Sequence, residues 1–299
     1  MKFDTIVTNP PFQDTTNRGK TPHKLWIDFT RAVFDRLLAD GGVLCQVSPA
    51  SFRSPNSVVL DLMKQHRTTL IRFDTDKHFP LVGSTFADYA IWKEPNDGSE
   101  TMVLVEGRRM PIVLDDEVFY LPNDLTDLGM SIHHKVVFHP KAKLQVEWDY
   151  VTCHNIRMKD PDTTLSRTRS EKHHHKVFHT NAQTWWTSLL QDFAPKKKVM
   201  WTRSGYTKPF YDPGTKGGTD MAYYVLVDSD DEGRALAHNL NLDLMQYIYK
   251  TAKWSGFGNE RVFAALPDLP RDRVLSNDDL FVLFSLTPEE VRHVRRTLG

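Results

Sequence analysis

Cysteine is nearly absent: Cys45 and Cys153 are the only two in 299 residues. A disulfide scaffold and a cysteine-ligated zinc cluster within one chain are thereby excluded. An excess of one charge is absent as well, because 38 Lys+Arg balance 38 Asp+Glu. That excludes a polybasic, histone-like binder but leaves room for a local basic face. No apolar run approaches the roughly 18 residues that a membrane span needs. The opening MKFDTIVTNPPF has neither an apolar core segment nor a small-residue cleavage site of the secretory kind. The expected compartment is the cytoplasm, with no membrane partner. No internal repeat is visible. What is present is 40% hydrophobic and 25% charged residues, enough for a packed core and against global disorder.

Strand and helix patterns alternate over the first hundred residues. Phe3–Thr8 reads as a short strand stopped by Asn9-Pro10-Pro11. Leu25, Phe29, Ala32, Val33 and Leu37 recur at helical spacing, ending at Asp40-Gly41-Gly42. A strand at 43–47, a helix at 58–65 and strands at 69–73 and 86–92 follow. This predicts an α/β sheet with fewer strands than a doubly wound domain usually has. Asn96-Asp97-Gly98-Ser99 is a turn and the expected boundary, giving domains 1–95 and 96–299. Beyond it the pattern predicts short strands at 102–105, 112–114 and 118–121, a helix near 127–137 and a polar loop at 155–183. A strand at 222–227, a helix at 232–249 and a final helix at 286–298 complete the expectation. In the last, Thr287 is the N-cap, Pro288 the first helical residue and Glu290 the partner of a capping box.

The chemistry-bearing segment is Asn9-Pro10-Pro11-Phe12. Two prolines with fixed φ and no N–H hold a stiff bend just beyond a strand's C-terminal edge, where open α/β sheets bind ligands. The Asn9 side-chain oxygen and the Pro10 carbonyl are left to accept hydrogen bonds from one planar amine, and Phe12 to stack on the ring that carries it. Two acceptors would hold the amine, aim its lone pair at a methyl donor and stabilise the growing positive charge. The plainer reading is a turn with Phe12 in the core.

With these residues the chain resembles the S-adenosylmethionine-dependent DNA adenine methyltransferases of restriction-modification type. The matching pattern is the apolar strand with Asn9-Pro10-Pro11-Phe12, a helix, then Asp40-Gly41-Gly42-Val43-Leu44 running to Ser48-Pro49. His78-Phe79-Pro80 before the strand from Phe86 completes it. The resemblance implies a partial Rossmann-like methyltransferase sheet followed by an α+β target-recognition domain. It implies methylation of the exocyclic amine of adenine in DNA, with Asn9 and Pro10 on the amine. Phe12 and Phe79 would stack on the extruded base, with Phe86 as the alternative to Phe79. It extends weakly to 220–299, through Ser255-Gly256-Phe257-Gly258 and Val262-Phe263-Ala264-Ala265-Leu266-Pro267.

The family's Gly-rich cofactor turn and its acidic ribose-binding residue are not found. Gly256-Phe257-Gly258 and Gly214–Gly218 follow no apolar strand. The resemblance therefore implies a split or truncated enzyme. S-adenosylmethionine binding by this chain alone is expected to be weak or absent, and a second polypeptide is expected to carry the cofactor half. The rivals are a non-catalytic DNA-binding remnant or decoy, and methylation of another planar amine, as on RNA guanine or protein glutamine.

Lys196, Lys197, Lys198, Arg203 and Lys208 are interleaved with Trp201, Tyr206 and Phe210, a mixture that suits DNA; the alternative is a solvated loop. Arg167, Arg169 and Lys172 could join the same face. His173-His174-His175 with His179 lacks supporting ligands at metal spacing, so no metal is expected. Cys45 is expected in the core, and no catalytic thiol is expected.

Overall fold

The alternation at the start of the chain builds one mixed sheet, and that sheet does not stop at the Asn96–Ser99 turn. The computed structural model describes residues 1–12, 24–79, 86–138, 142–149, 151–154, 164–180, 183–203, 207–252 and 260–299. They divide into two compact units, Met1–His134 and Lys135–Gly299. The division falls well beyond the expected 95/96 boundary because two further strands join the first sheet by backbone hydrogen bonds.

In the first unit the elements are β1 (Phe3–Thr8), α1 (Leu25–Ala32), β2 (Leu38–Pro49), α2 (Val58–Gln65), β3 (His66–Arg72), β4 (Phe86–Pro95), β5 (Thr101–Val105), β6 (Arg108–Ile112) and α3 (Asp127–His133). The sheet order is β1-β2-β4-β3-β5-β6. β1 and β2 are parallel, as are β3 and β5, whereas β4 runs antiparallel to both of its neighbours. Thr8 pairs with Gln46 and Pro49 with Phe86, so the C-terminal ends of β1 and β2 meet the start of β4 at one edge of the sheet. At the other end of the β1–β2 pair, a Cβ on Gly42 would sit 3.0 Å from the Asp4 carbonyl, and glycine there lets the two strands close up.

The helix after β1 turns on a different stripe from the one expected. α1 buries Trp26 and Thr30, and the π-type turn Val33–Leu37 that prolongs it buries Val33 and Phe34. Phe29 is left 45% exposed. The reason is polar: Thr30 Oγ1 accepts from Gln46 Nε2 at 2.8 Å, and the same amide reaches the Tyr89 hydroxyl at 2.8 Å. α2 falls where the sequence placed it, capped by the Ser57 side chain.

The segment 118–121 is not a strand. It is an extended stretch held by Arg53, whose Nε donates to the Leu121 carbonyl at 3.1 Å while its backbone oxygen accepts from Leu121 N–H at 3.0 Å. Strand β6 lies at Arg108–Ile112, not at 112–114. Its hairpin with β5 turns through Glu106 and Gly107, both at positive φ, as a two-residue hairpin turn requires.

One buried pair in this unit makes folding acid-sensitive. The Tyr120 hydroxyl lies 2.8 Å from His133 Nδ1, and neither residue is exposed. Burial pushes the His133 pKa down to about 3, and keeps the phenol protonated. An unfolded histidine titrates near 6.5, so between about pH 6.5 and 3 the unfolded state holds the extra proton. This contribution to stability is complete above about pH 6.5 and is lost as pH falls, by roughly 1.4 kcal/mol per pH unit. Urea melts of wild type and His133→Gln between pH 7 and 4 should differ in slope by about that amount. Parallel slopes would mean that His133 protonates freely in the native state.

The second unit contains β7 (Leu165–Ser166), β8 (His175–Thr180), β9 (Gln183–Thr187), β10 (Lys198–Thr202), β11 (Phe210–Asp212), β12 (Gly217–Gly218) and β13 (Ala222–Leu226). The helices α4 (Asp230–Asn239), α5 (Asp243–Thr251), α6 (Asn277–Leu283) and α7 (Pro288–Leu298) follow. The strands form two small sheets, β12-β8-β9-β7 and β11-β10-β13. Phe178, Phe193, Met200, Ala222 and Tyr224 make one buried cluster between them. Part of the expected 155–183 loop is thus strand β8; residues 155–163 and 181–182 lie outside the described residues. The expected single helix at 232–249 is two, because Asn241 Nδ2 turns back to the Ala237 carbonyl at 2.7 Å and ends α4. α7 has the capping box read from the sequence, with Thr287 N–H donating to Glu290 at 2.7 Å. Glu290 is buried and pairs with Lys135 at 2.7 Å.

Candidate functional site

The Asn-Pro-Pro bend sits at the sheet edge shared by the ends of β1 and β2 and the start of β4. Pro10 is buried and anchors the bend, whereas Asn9 and Pro11 are exposed. The exposed Asn9 side chain has no hydrogen-bond partner among the described residues. Phe12 is half-buried, its ring stacked on Phe86 at 5.1 Å and 30°. Phe79 also lies on Phe86, at 5.2 Å. The structure therefore brings together all three aromatic residues singled out from the sequence, with the buried Phe86 ring in contact with both others.

Phe79 is positioned from two sides. The turn before it, Asp74–His78, is tied to β4 by Thr75 Oγ1, which donates to Asp88 at 2.5 Å. Asp88 also accepts from Arg72 Nη2 at 2.9 Å, and that bond raises the Arg72 pKa. On the other side Asp74 accepts from the N–H groups of Glu106 and Gly107, at 2.7 and 3.2 Å, fastening the β5–β6 turn. The Glu106 N–H chiefly holds the Asp74 carboxyl below the usual range.

A groove of about 450 Å³ opens against β1 to β4, with Gln46 and Tyr89 also among its lining residues. Val7, Cys45, Val47, Leu70 and Ala90 make its apolar floor, Arg72 and Asp88 a charged wall, and Thr8 and Phe79 its end beside Asn9. Cys45 is thus half-exposed rather than in the core. Burial, aided by Asp88, pushes its thiol up and away from the reactive thiolate. Arg53, next to the same edge, is fully committed: it reaches the Leu121 and Pro122 carbonyls and lies over Phe73, and burial lowers its pKa to about 10.

No protein-family model and no curated protein matches the chain. Solved structures do. MmeI, a type IIL restriction-modification enzyme solved with DNA, superposes on 88% of this chain and 45% of its own, at TM-score 0.48 and 10% identity. A nuclease-deletion mutant of LlaGI, a type ISP restriction-modification enzyme solved with a DNA substrate mimic, is similar over 94% of this chain and 40% of its own, at TM-score 0.45 and 12% identity. A modification subunit of a putative type I restriction enzyme from Vibrio vulnificus YJ016 matches 36% of this chain and 27% of its own, at TM-score 0.25 and 16% identity. The chain spans less than half the length of each.

The basic segment is split by its environment. Lys198 is withdrawn from the DNA-facing set: it is fully buried, and its Nζ donates to Asp212 at 2.7 Å and to the carbonyls of Ala194 and Lys196. Lys197 is tied to Asp230 at 2.7 Å. Lys196 and Lys208 are exposed, and Arg203 lies over the Trp148 ring at 5.2 Å. Tyr206 lies outside the described residues. His179, on β8, is buried, stacked on Trp185 at 3.7 Å, with Nδ1 2.8 Å from Thr219 Oγ1. Among the described residues no group of three metal-ligating side chains converges.

The described residues do not compose a holder for S-adenosylmethionine. The N–H groups of Gly214, Thr215 and Lys216 form a nest of the anion-binding kind, but the Asp212 carboxylate already fills it. Asp88, the acidic residue in the groove, is engaged by Arg72 and Thr75. Gly256-Phe257-Gly258 lies outside the described residues.

Proposed function

We propose that this chain is the amine-holding and DNA-gripping part of an S-adenosylmethionine-dependent DNA adenine methyltransferase of restriction-modification type. The observation that carries the reading is the Asn9 carboxamide: exposed, without a hydrogen-bond partner among the described residues, on a proline-stiffened bend whose Pro10 is buried. Asn9 and the Pro10 carbonyl accept the N–H groups of the adenine amine and fix its lone pair toward the donor. Phe12 and Phe79 offer faces for the extruded ring, and admitting it between them requires Phe86 to give way. Of the second unit, Lys196, Arg203 and Lys208 remain candidates for phosphate contact.

The methyl donor is to be held by another polypeptide or segment. Support comes from β1, which among the described residues has no strand on its outer side. Val7 on it is 79% exposed and Phe3 46% exposed. An apolar strand open along one edge is a surface for a partner strand.

The test is label transfer from S-[methyl-³H]adenosylmethionine, using the chain alone and the chain co-expressed with the products of its flanking reading frames. Acceptors are duplex DNA, RNA and a glutamine peptide, with nucleosides separated after digestion. The expected result is N6-methyldeoxyadenosine from the co-expressed material and little or none from the chain alone. Label on guanine in RNA or on glutamine would replace the substrate, and absence of label everywhere would leave a non-catalytic DNA-binding remnant.

A further inference from the structure

Several cations of the second unit are already paired. Lys135, Lys197, Lys198, Arg271 and Arg295 each meet a carboxylate at 3.1 Å or less. The stretch 164–187 is different. It holds Arg167, Arg169, Lys172 and Lys176 against a single acidic residue, Glu171. All four cations are exposed, and among the described residues none forms an ion pair.

Strand register gathers several of these groups on one face. Lys176 on β8 and Ser166 on β7 both stand directly opposite Trp186 on β9, one from each side. Thr184, two residues before Trp186, shares its face. Arg169 completes the arrangement, its guanidinium carbon 5.4 Å from the centre of the half-buried Trp186 ring. The loop between β7 and β8 is ordered by its own bonds: Ser170 N–H donates to the His173 carbonyl at 3.0 Å, and the Ser170 hydroxyl accepts from His173 N–H at 3.0 Å. The cations are therefore displayed on an ordered connection between β7 and β8 and on the start of β8.

We propose that this face, centred on Trp186 with Arg169 and Lys176, is a contact surface for the phosphate backbone of duplex DNA; the proposal rests on the DNA reading above and assigns it a place. The chemistry favours a polyanion with repeating single charges. Two cations flank a planar ring, and the exposed Thr184 hydroxyl adds a donor suited to phosphate oxygens, whereas the Ser166 hydroxyl already donates to the Thr168 carbonyl at 2.8 Å. The ring offers the sugar–phosphate chain an apolar surface between the charges. Arg167, over Trp185 at 5.5 Å, extends the positive field at the edge of the same sheet.

The experiment is fluorescence anisotropy with a labelled, random-sequence 30-base-pair duplex across a salt series. Wild type, Arg169→Ala/Lys176→Ala and Trp186→Phe are compared, with circular dichroism to establish folding. The double variant is expected to lose affinity at every salt concentration, and its slope of log K against log salt should shrink by about two units, one per lost contact. Trp186→Phe, which removes no charge, should keep the wild-type slope. A double variant that is folded and binds with the wild-type slope would overturn the assignment while leaving DNA binding in place. A wild-type chain that does not bind the duplex at low salt would overturn both. Polyglutamate competing as well as unlabelled duplex would point to an acidic protein and would overturn the proposal.

Discussion

Replacing Asn9 by alanine is expected to reduce methyl transfer by about a hundredfold or more, the usual cost of deleting one preorganised polar contact in a transition state. Folding and DNA binding should be nearly untouched. The side chain is exposed and has no hydrogen-bond partner among the described residues, so its removal leaves none of them unsatisfied. The measurement is single-turnover methylation by the complete enzyme, alongside thermal melting and duplex binding. Activity within a few-fold of wild type would remove Asn9 from the site. A drop in melting temperature of the same size as the activity loss would make it a structural residue instead.

Lys198→Met is expected to have the largest effect on stability. Burial chiefly pulls the Lys198 pKa down, with the Lys216 charge acting the same way, while the Asp212 pair opposes that. For Asp212, burial pushes upward, and the bonds from Lys198 and Thr215 outweigh it and hold the carboxyl below its ordinary range. Both side chains are essentially unexposed, at 0% and 1%. Removing one member of such a pair typically costs about 3–5 kcal/mol, because the other charge stays buried without its counterpart. Here the carboxylate also organises the 212–216 loop through three backbone N–H groups. Urea denaturation should show the loss as a lower midpoint at unchanged m-value. DNA affinity, corrected for the folded fraction, should keep the wild-type salt slope. A slope reduced by about one unit would restore Lys198 as a phosphate contact.

Lys198 also shows where sequence reading stops. Three consecutive lysines look alike as text, yet one is exposed, one is paired at the surface and one is buried in a fully bonded ion pair. The difference is made by Asp212 and Asp230, residues brought in by β11 and α4. The same holds for α1: the apolar stripe pointed to Phe29, but a polar bond from Gln46, sixteen residues away, turned Thr30 inward. By contrast, β1, α2 and α7 were legible because their signals are local: a β-rich run stopped by prolines, an apolar periodicity and a capping box. The candidate site was legible to the same degree. Asn9 to Phe12 form one continuous segment, and Phe79 and Phe86 flank one loop. The ties that hold the Asp74–His78 turn before Phe79, Thr75 to Asp88 and Asp74 to the β5–β6 turn, join residues too far apart for spacing to show. The boundary at 134 was hidden for the same reason, since β5 joins β3 by a parallel pairing that no turn announces.

Among the described residues, the strand that leads into Asn9 is paired with β2 alone. In amide hydrogen exchange, alternate N–H groups of Phe3–Thr8 should therefore trade with deuterium at rates near those of a loop, while their neighbours and the facing Val43–Gln46 amides remain slow. The bend that presents the carboxamide is thus tethered to an edge strand of its sheet. Any molecule that completes the edge would slow those fast amides and fix the position of Asn9 in the same event. Assembly would then be reported by the protection pattern of six consecutive residues, before any product is formed.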